Sequence, residues 1–128
     1  MSNPLHRAHP WNWFTRRPAY IKFMVREVTA LFVGAYLIFL LVVLRKLGAG
    51  EEAFVEYLGV LTSPLSVLLH LLVLAAAVFH SVTWFNLTPK AMPVFWGENR
   101  VADPLVAFGI GYLPWIIVTL LIVWGVRS

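Results

Sequence analysis

Three stretches of this chain, residues 28–44, 57–89 and 104–126, contain no lysine, arginine, aspartate or glutamate. A helix needs about 20 residues to cross the roughly 30 Å of hydrocarbon in a bilayer, and each stretch approaches or exceeds that length. Inside lipid a segment must satisfy its own backbone N–H and C=O groups, which leaves the helix as the form these stretches can take. They therefore point to one fold class, an all-α membrane protein with three transmembrane helices. Composition agrees, because 60% of the residues are hydrophobic and 12% are charged, about half the charge of an ordinary soluble domain. Three spans leave little chain for anything else, so residues 1–128 are expected to form a single membrane-anchor domain.

Punctuation marks set the boundaries. Residues 1–20 mix His6, Arg7 and His9 with Trp11, Trp13, Arg16, Arg17 and Tyr20, which suits a segment lying along the cytoplasmic membrane interface. That basic region is too long, and the first span outlasts an h-region, for a cleaved signal peptide to be expected. Pro18 suits the first turn of a helix. The first span is expected at about 21–45, closed by Arg45-Lys46 and broken by Gly48 and Gly50. An acidic connection with Glu51, Glu52 and Glu56 leads to Ser63-Pro64, a cap-plus-proline start for a second helix over about 64–87. Pro89, Pro93 and Gly97 mark a second loop, and Asp103-Pro104 opens a third helix over about 104–126. Pro114, preceded by Gly109 and Gly111, is expected to kink it. Ala30 with Gly34, and Ala107 with Gly111, have the small-xxx-small spacing that permits close helix contact.

The net charge of +4 is a topology signal rather than a nucleic-acid signal. Of the 10 lysines and arginines, Arg7, Arg16, Arg17, Lys22, Arg26, Lys90 and Arg100 fall on one side, and Arg45, Lys46 and Arg127 on the other. Cytoplasmic loops carry the excess of basic residues, so the N-terminus is expected inside and the C-terminus outside. Glu27 then heads the first span on the cytoplasmic side. The second span returns to that side, bringing His80 and Trp84 to a similar depth.

These are the groups that could carry chemistry. An ionisable side chain at the mouth of a span is costly unless paired, hydrated or used. By position alone, Arg26 could snorkel to the headgroups while Glu27 is simply hydrated. The alternative is that Glu27 is a working carboxylate. His80 and Trp84 are four residues apart and share one face of the second helix; they too have ordinary readings, an imidazole bonded near Ser81 or Thr83 and an interfacial indole. His70 lies ten residues before His80, about 15 Å along the axis, so the two cannot ligate one metal together. A carboxylate, an arginine, an imidazole and an indole at one depth suit redox chemistry on a quinone. Quinol oxidation releases two protons, for which a partly desolvated Glu27 is a candidate acceptor. It also releases two electrons, which nothing in this chain can take. There is no cysteine to hold an iron–sulfur cluster or a covalently attached haem. The electron acceptor must belong to a partner.

Two runs carry a family resemblance. Arg17-Pro18-Ala19-Tyr20-Ile21-Lys22-Phe23-Met24-Val25-Arg26-Glu27-Val28-Thr29-Ala30 resembles the start of the fumarate reductase C subunit. The run His80-Ser81-Val82-Thr83-Trp84-Phe85-Asn86-Leu87-Thr88-Pro89-Lys90-Ala91 resembles the same family. That family provides a membrane anchor of bacterial quinol:fumarate reductase. The resemblance implies an anchor in the bacterial inner membrane that does not itself carry the fumarate chemistry. It also implies a four-membered complex, with a flavoprotein, an iron–sulfur protein and a second membrane anchor (the A, B and D subunits) as partners. Menaquinol or menaquinone would bind between the anchors, and flavin and iron–sulfur clusters would reside in the partners. Glu27 matches the family's proton-accepting glutamate, with Arg26 beside it, and Ala30, His80 and Trp84 match positions of the quinone pocket. Anchors of this C-plus-D kind resemble the haem-free branch, so no haem is expected. The alternatives are a haem-b-binding anchor of a succinate dehydrogenase, with His70 or His80 as one axial ligand, and a small membrane transporter or scaffold.

Overall fold

A computed structural model describes residues 11–128. The expected behaviour of residues 1–10, including His6, Arg7 and His9, lies outside the described residues. The chain divides into two compact units, one reaching to Ala77 and the other running from Val78 to Ser128.

In the first unit a short 3-10 turn, Trp13–Thr15, precedes helix α1, Pro18–Gly48. Pro18 sits in the first turn, where its missing N–H is one the helix would leave unpaired anyway. Arg45 and Lys46 occupy the last turn, where cations meet the negative end of the helix dipole. Gly50 then takes φ 115° and ψ 166°, a conformation essentially restricted to glycine. This breaks the chain into a separate helix α2, Glu51–Leu61. An acidic connection is expected here from the glutamates, yet the pattern is helical. Glu51 and Glu52 favour the first turn, and half-buried Ala53, Phe54, Tyr57 and Leu61 recur at helical spacing. Tyr57 stacks obliquely on Phe39 of α1, ring centres 6.5 Å apart, and Lys46 lies 5.9 Å from its ring centre.

Helix α3, Pro64–Ala91, begins in the first unit and continues into the second. It runs beyond the expected loop signal at Pro89, which lies inside the helix and is buried. At the last turn a proline removes only the bond to the carbonyl four residues back, a small loss beside the packing of its ring. In the second unit strands β1, Phe95–Trp96, and β2, Asn99–Arg100, form a two-stranded antiparallel hairpin. Helix α4 spans Asp103–Arg127. Where a proline kink is expected it contains a six-residue π-helical turn, Ala107–Tyr112, separated from Pro114 by Leu113 alone. The N–H of Leu113 donates to the carbonyl of Phe108, five residues back. Pro114 has no N–H to give and its ring crowds the preceding carbonyls, so the wider turn relieves a strain an α-helical turn would carry.

Helices α1, α3 and α4 are each long and apolar enough to cross a membrane. They present most of their apolar surface outward: none of the most hydrophobic window of α3 is buried within the chain. Among the described residues the buried apolar side chains are Val106, Ala107 and Pro89, and the buried polar ones Arg26 and Thr29. A soluble protein would hide its leucines in a core; here they are left for lipid or for another protein.

Candidate functional site

The head of α1 places a buried cation beside an exposed carboxylate. Arg26 is only 8% exposed. Its guanidinium lies 5.0 Å from the ring centre of Phe23, three residues earlier and therefore on the same helix face. Both Nε and Nη2 donate to Oε1 of Glu27, each at 3.4 Å. Charge-assisted bonds are usually near 2.8 Å, so this contact orients the carboxylate without gripping it. The Glu27 side chain is 46% exposed, and among the described residues its Oε2 has no hydrogen-bond partner. Arg26 thus does not snorkel into open solvent, and the exposed member of the pair is the acid.

Thr29 and Phe23, neither of them singled out by the sequence pattern, shape this site. Thr29 is buried, and its hydroxyl donates to the carbonyl of Arg26 at 2.6 Å, a back-bond across three residues. Phe23 supplies the aromatic face. Their signal was helical spacing around Arg26, weak beside the charges. Ala30, one turn beyond, is half-buried. An apolar groove of about 570 Å³ runs along α1, walled by Phe14, Ile21, Met24, Val25, Val28 and Phe32. Val28 and Thr29, which also line it, directly follow Glu27.

The second unit holds His80 and Trp84 as neighbouring rings, centroids 6.3 Å apart and tilted by 55°. The hydroxyl of Thr83 donates to the carbonyls of Phe79 at 2.8 Å and His80 at 3.0 Å, so its proton goes to the backbone rather than to the imidazole. Trp84 is 40% exposed. Close by on the same helix, Asn86 Nδ2 donates to the carbonyl of Val82 and to the Tyr112 hydroxyl, both at 2.7 Å. Phe85 meets Tyr112 edge to face at 5.1 Å and Trp115 at 5.9 Å. Sequence pattern did not single out Asn86 or Tyr112, because their pairing joins residues 26 apart.

His70 belongs to a different cluster, in the first unit. A carbonyl can only accept, so His70 Nδ1 donates to the Ser66 carbonyl at 2.7 Å. Tyr36 and Phe39 stand nearly perpendicular to the imidazole at 5.7 and 5.2 Å, beside a cavity of about 250 Å³. Of the predicted site residues, then, Arg26 is joined to Glu27 and His80 to Trp84. The first pair lies in one unit and the second in the other. Among the described residues no three histidine, aspartate or glutamate side chains gather to hold a metal ion.

Chemically, the α1 site offers an oriented acid with one open oxygen, on a helix that also carries an apolar groove. The α3 site sets an imidazole beside a part-exposed indole.

Known proteins resemble this sequence along most of its length. A family model described as that of the fumarate reductase C subunit matches residues 1–127. The fumarate reductase C subunit of Mycobacterium tuberculosis (strain ATCC 25618 / H37Rv) is 34% identical over 116 residues, 91% of this chain and 91% of the relative. That of Klebsiella pneumoniae (strain 342) is 38% identical over 104 residues, 80% of this chain and 79% of that protein. That of Salmonella heidelberg (strain SL476) is 32% identical over 121 residues, 94% and 92% of the two chains.

Proposed function

The chain belongs to the family of fumarate reductase C subunits, and from that premise we propose that it anchors a quinol:fumarate reductase in the bacterial inner membrane and oxidises menaquinol with a second membrane anchor. The N-terminus and the α3–α4 loop face the cytoplasm, as the distribution of basic residues favours. Menaquinol gives up two protons and two electrons, and the residues of this chain assigned to it are Glu27, Arg26 and Ala30 in the first unit and His80 and Trp84 in the second. The electrons pass to iron–sulfur clusters in a soluble partner, and a flavoprotein partner reduces fumarate to succinate. This chain's share of the work is to bind and orient the quinol and to take its protons.

One observation carries the reading: a half-exposed carboxylate with an open Oε2, steered by a buried arginine, at the mouth of an apolar span. An ionisable group at that depth is functional by default. Glu27 accepts the proton from a quinol hydroxyl as general base. Arg26, with its guanidinium against the Phe23 ring, steadies the carboxylate while it is charged. Small Ala30 leaves room for a planar ring, and the groove along Val25, Val28 and Phe32 suits an isoprenoid tail, since ligand sites combine apolar walls with a few placed polar groups. His80 and Trp84 hydrogen-bond the ring oxygens or stack beside the ring.

Glu27→Gln tests this. It keeps the size and removes the basicity. Menaquinol oxidation is expected to fall by about two orders of magnitude or more, while assembly and dye-driven fumarate reduction persist. Unchanged quinol turnover would return Glu27 to a hydrated surface acid.

A further inference from the structure

Helices α3 and α4 are joined outside the spans by a hairpin that the proposed quinol chemistry does not use. Its two-residue loop is Gly97-Glu98, with Phe95 paired to Arg100 and Trp96 to Asn99. Gly97 has φ 62°, and no non-glycine residue among those described has positive φ, which identifies a type II′ turn with glycine in the first central position. The N–H of Val101 donates to the Val94 carbonyl at 2.9 Å. Arg100 bonds Asp103 at 2.7 Å, tying the end of the hairpin to the start of α4. This is a braced ribbon, and it is apolar where solvent should meet it. Trp96 is 86% exposed and Phe95 58%.

Adjacent strand residues point to opposite faces. One face of the ribbon therefore shows Trp96 with Asn99, and the other Phe95 with Arg100. A ribbon laid on a membrane plane would gather its aromatics on one face. An aromatic on each face instead suits insertion into a cleft. Charge points the same way. Asp103 already neutralises Arg100, and the charge at the tip is that of Glu98, which anionic headgroups repel and a basic rim on a protein attracts.

We propose that the hairpin Phe95–Arg100 is a docking finger that seats in a basic-rimmed cleft of the soluble, electron-relaying partner, with Trp96 as its anchor. This rests on the reading of the chain as a membrane anchor of a larger complex, to which it adds the element that holds the soluble part in place. Tryptophan is the residue that most often dominates an interface when fully desolvated. The hairpin leads directly into the start of α4, so a cleft closed on it fixes the soluble partner against the membrane mouth of this unit.

The test uses the whole complex in native membranes. Membrane-bound flavin and dye-linked fumarate reduction are measured after a high-salt wash, for the wild type, Trp96→Ala, Phe95→Ala with Trp96→Ala, and Trp96→Phe. The expected result is a roughly tenfold to hundredfold weaker hold on the soluble pair in the alanine variants, intermediate retention in Trp96→Phe, and unchanged amounts of this chain and the second anchor in the membrane. Retention equal to wild type in the double variant overturns the proposal, as it would if the hairpin dipped into lipid. Loss of the chain itself from the membrane in the Trp96→Phe variant also overturns it. Should even the wild-type membranes carry no flavin-bearing pair, the anchor reading fails instead.

Discussion

Gly111 faces Phe85 so closely that a Cβ on the glycine would lie 2.7 Å from the Cγ of the ring. The neighbouring atoms are Cβ, Cγ and Cδ1 of Phe85, at the root of the side chain, so no flexible tip can swing away. Gly111 belongs to the small-xxx-small pair with Ala107, and both are buried. Gly34, in the matching pair on α1, has nothing within 4 Å of where its Cβ would be.

That contrast predicts opposite outcomes for one kind of substitution. Gly111→Ala forces α3 and α4 apart and should cost about 1–3 kcal/mol, the range for overpacking a filled site. Gly109→Ala, two residues earlier and facing open space, should stay within about 0.5 kcal/mol of wild type. Thermal unfolding of the solubilised complex, followed by near-ultraviolet circular dichroism, compares them.

The Asn86–Tyr112 bond predicts a smaller effect. Tyr112→Phe keeps the ring against Phe85 and removes only the acceptor for Asn86 Nδ2. Interhelical hydrogen bonds in membranes average about 0.6 kcal/mol, with a maximum near 1.7, so a modest loss is expected. A double-mutant cycle with Asn86→Ala, read by the same unfolding assay, should return a coupling energy of that size.

Gly50 makes a backbone prediction. Any side chain at φ 115°, ψ 166° is strained by about 1–3 kcal/mol. Gly50→Ala should therefore loosen the join between α1 and α2, seen as faster protease cleavage around residues 49–52. Gly48→Ala, in an open position without positive φ, is the control.

The proposed quinol contacts yield a kinetic prediction. His80→Ala and Trp84→Ala should raise KM for menaquinol roughly tenfold or more, as expected when a ring-binding contact worth about 1.4 kcal/mol is removed. Dye-linked fumarate reduction should not change, because the proposed function puts that chemistry in a soluble partner. A fall in both activities together would mean that the substitutions disturb assembly instead.

A spectrum addresses the alternative cofactor. The purified complex is expected to show flavin and iron–sulfur absorbance without a Soret band. Such a band would assign a haem, and loss of that band in His70→Ala would name its ligand.

Much of the architecture could be read from the chain because lipid imposes a blunt rule, that long uncharged stretches must be helices. Arg26-Glu27 could also be noticed, since charge at the mouth of a span is costly. Which member of the pair is buried could not be read, because burial depends on tertiary packing around the arginine, which a single sequence does not display. Helix α2 was obscured by its three glutamates, whose polarity suggested a loop although their places favour a helix start. The grip of Gly111 on Phe85 and the hydrogen bond from Asn86 to Tyr112 depend on two helices meeting, for which a single sequence offers only the spacing of small residues.

The π-helical turn in α4 has a consequence for counting. A wide turn holds one more residue than an α-helical turn, and each residue advances the helix by about 100°. Side chains from Leu113 onward therefore point about 100° away from where an unbroken wheel started at Asp103 would put them. The span carries two stripes out of phase, and substitutions that look equivalent seven residues apart across the turn meet different neighbours. Deleting any one residue of Ala107–Tyr112 would bring the stripes into phase, rotating Trp115, Thr119 and Trp124 together while leaving the span long enough to cross the bilayer.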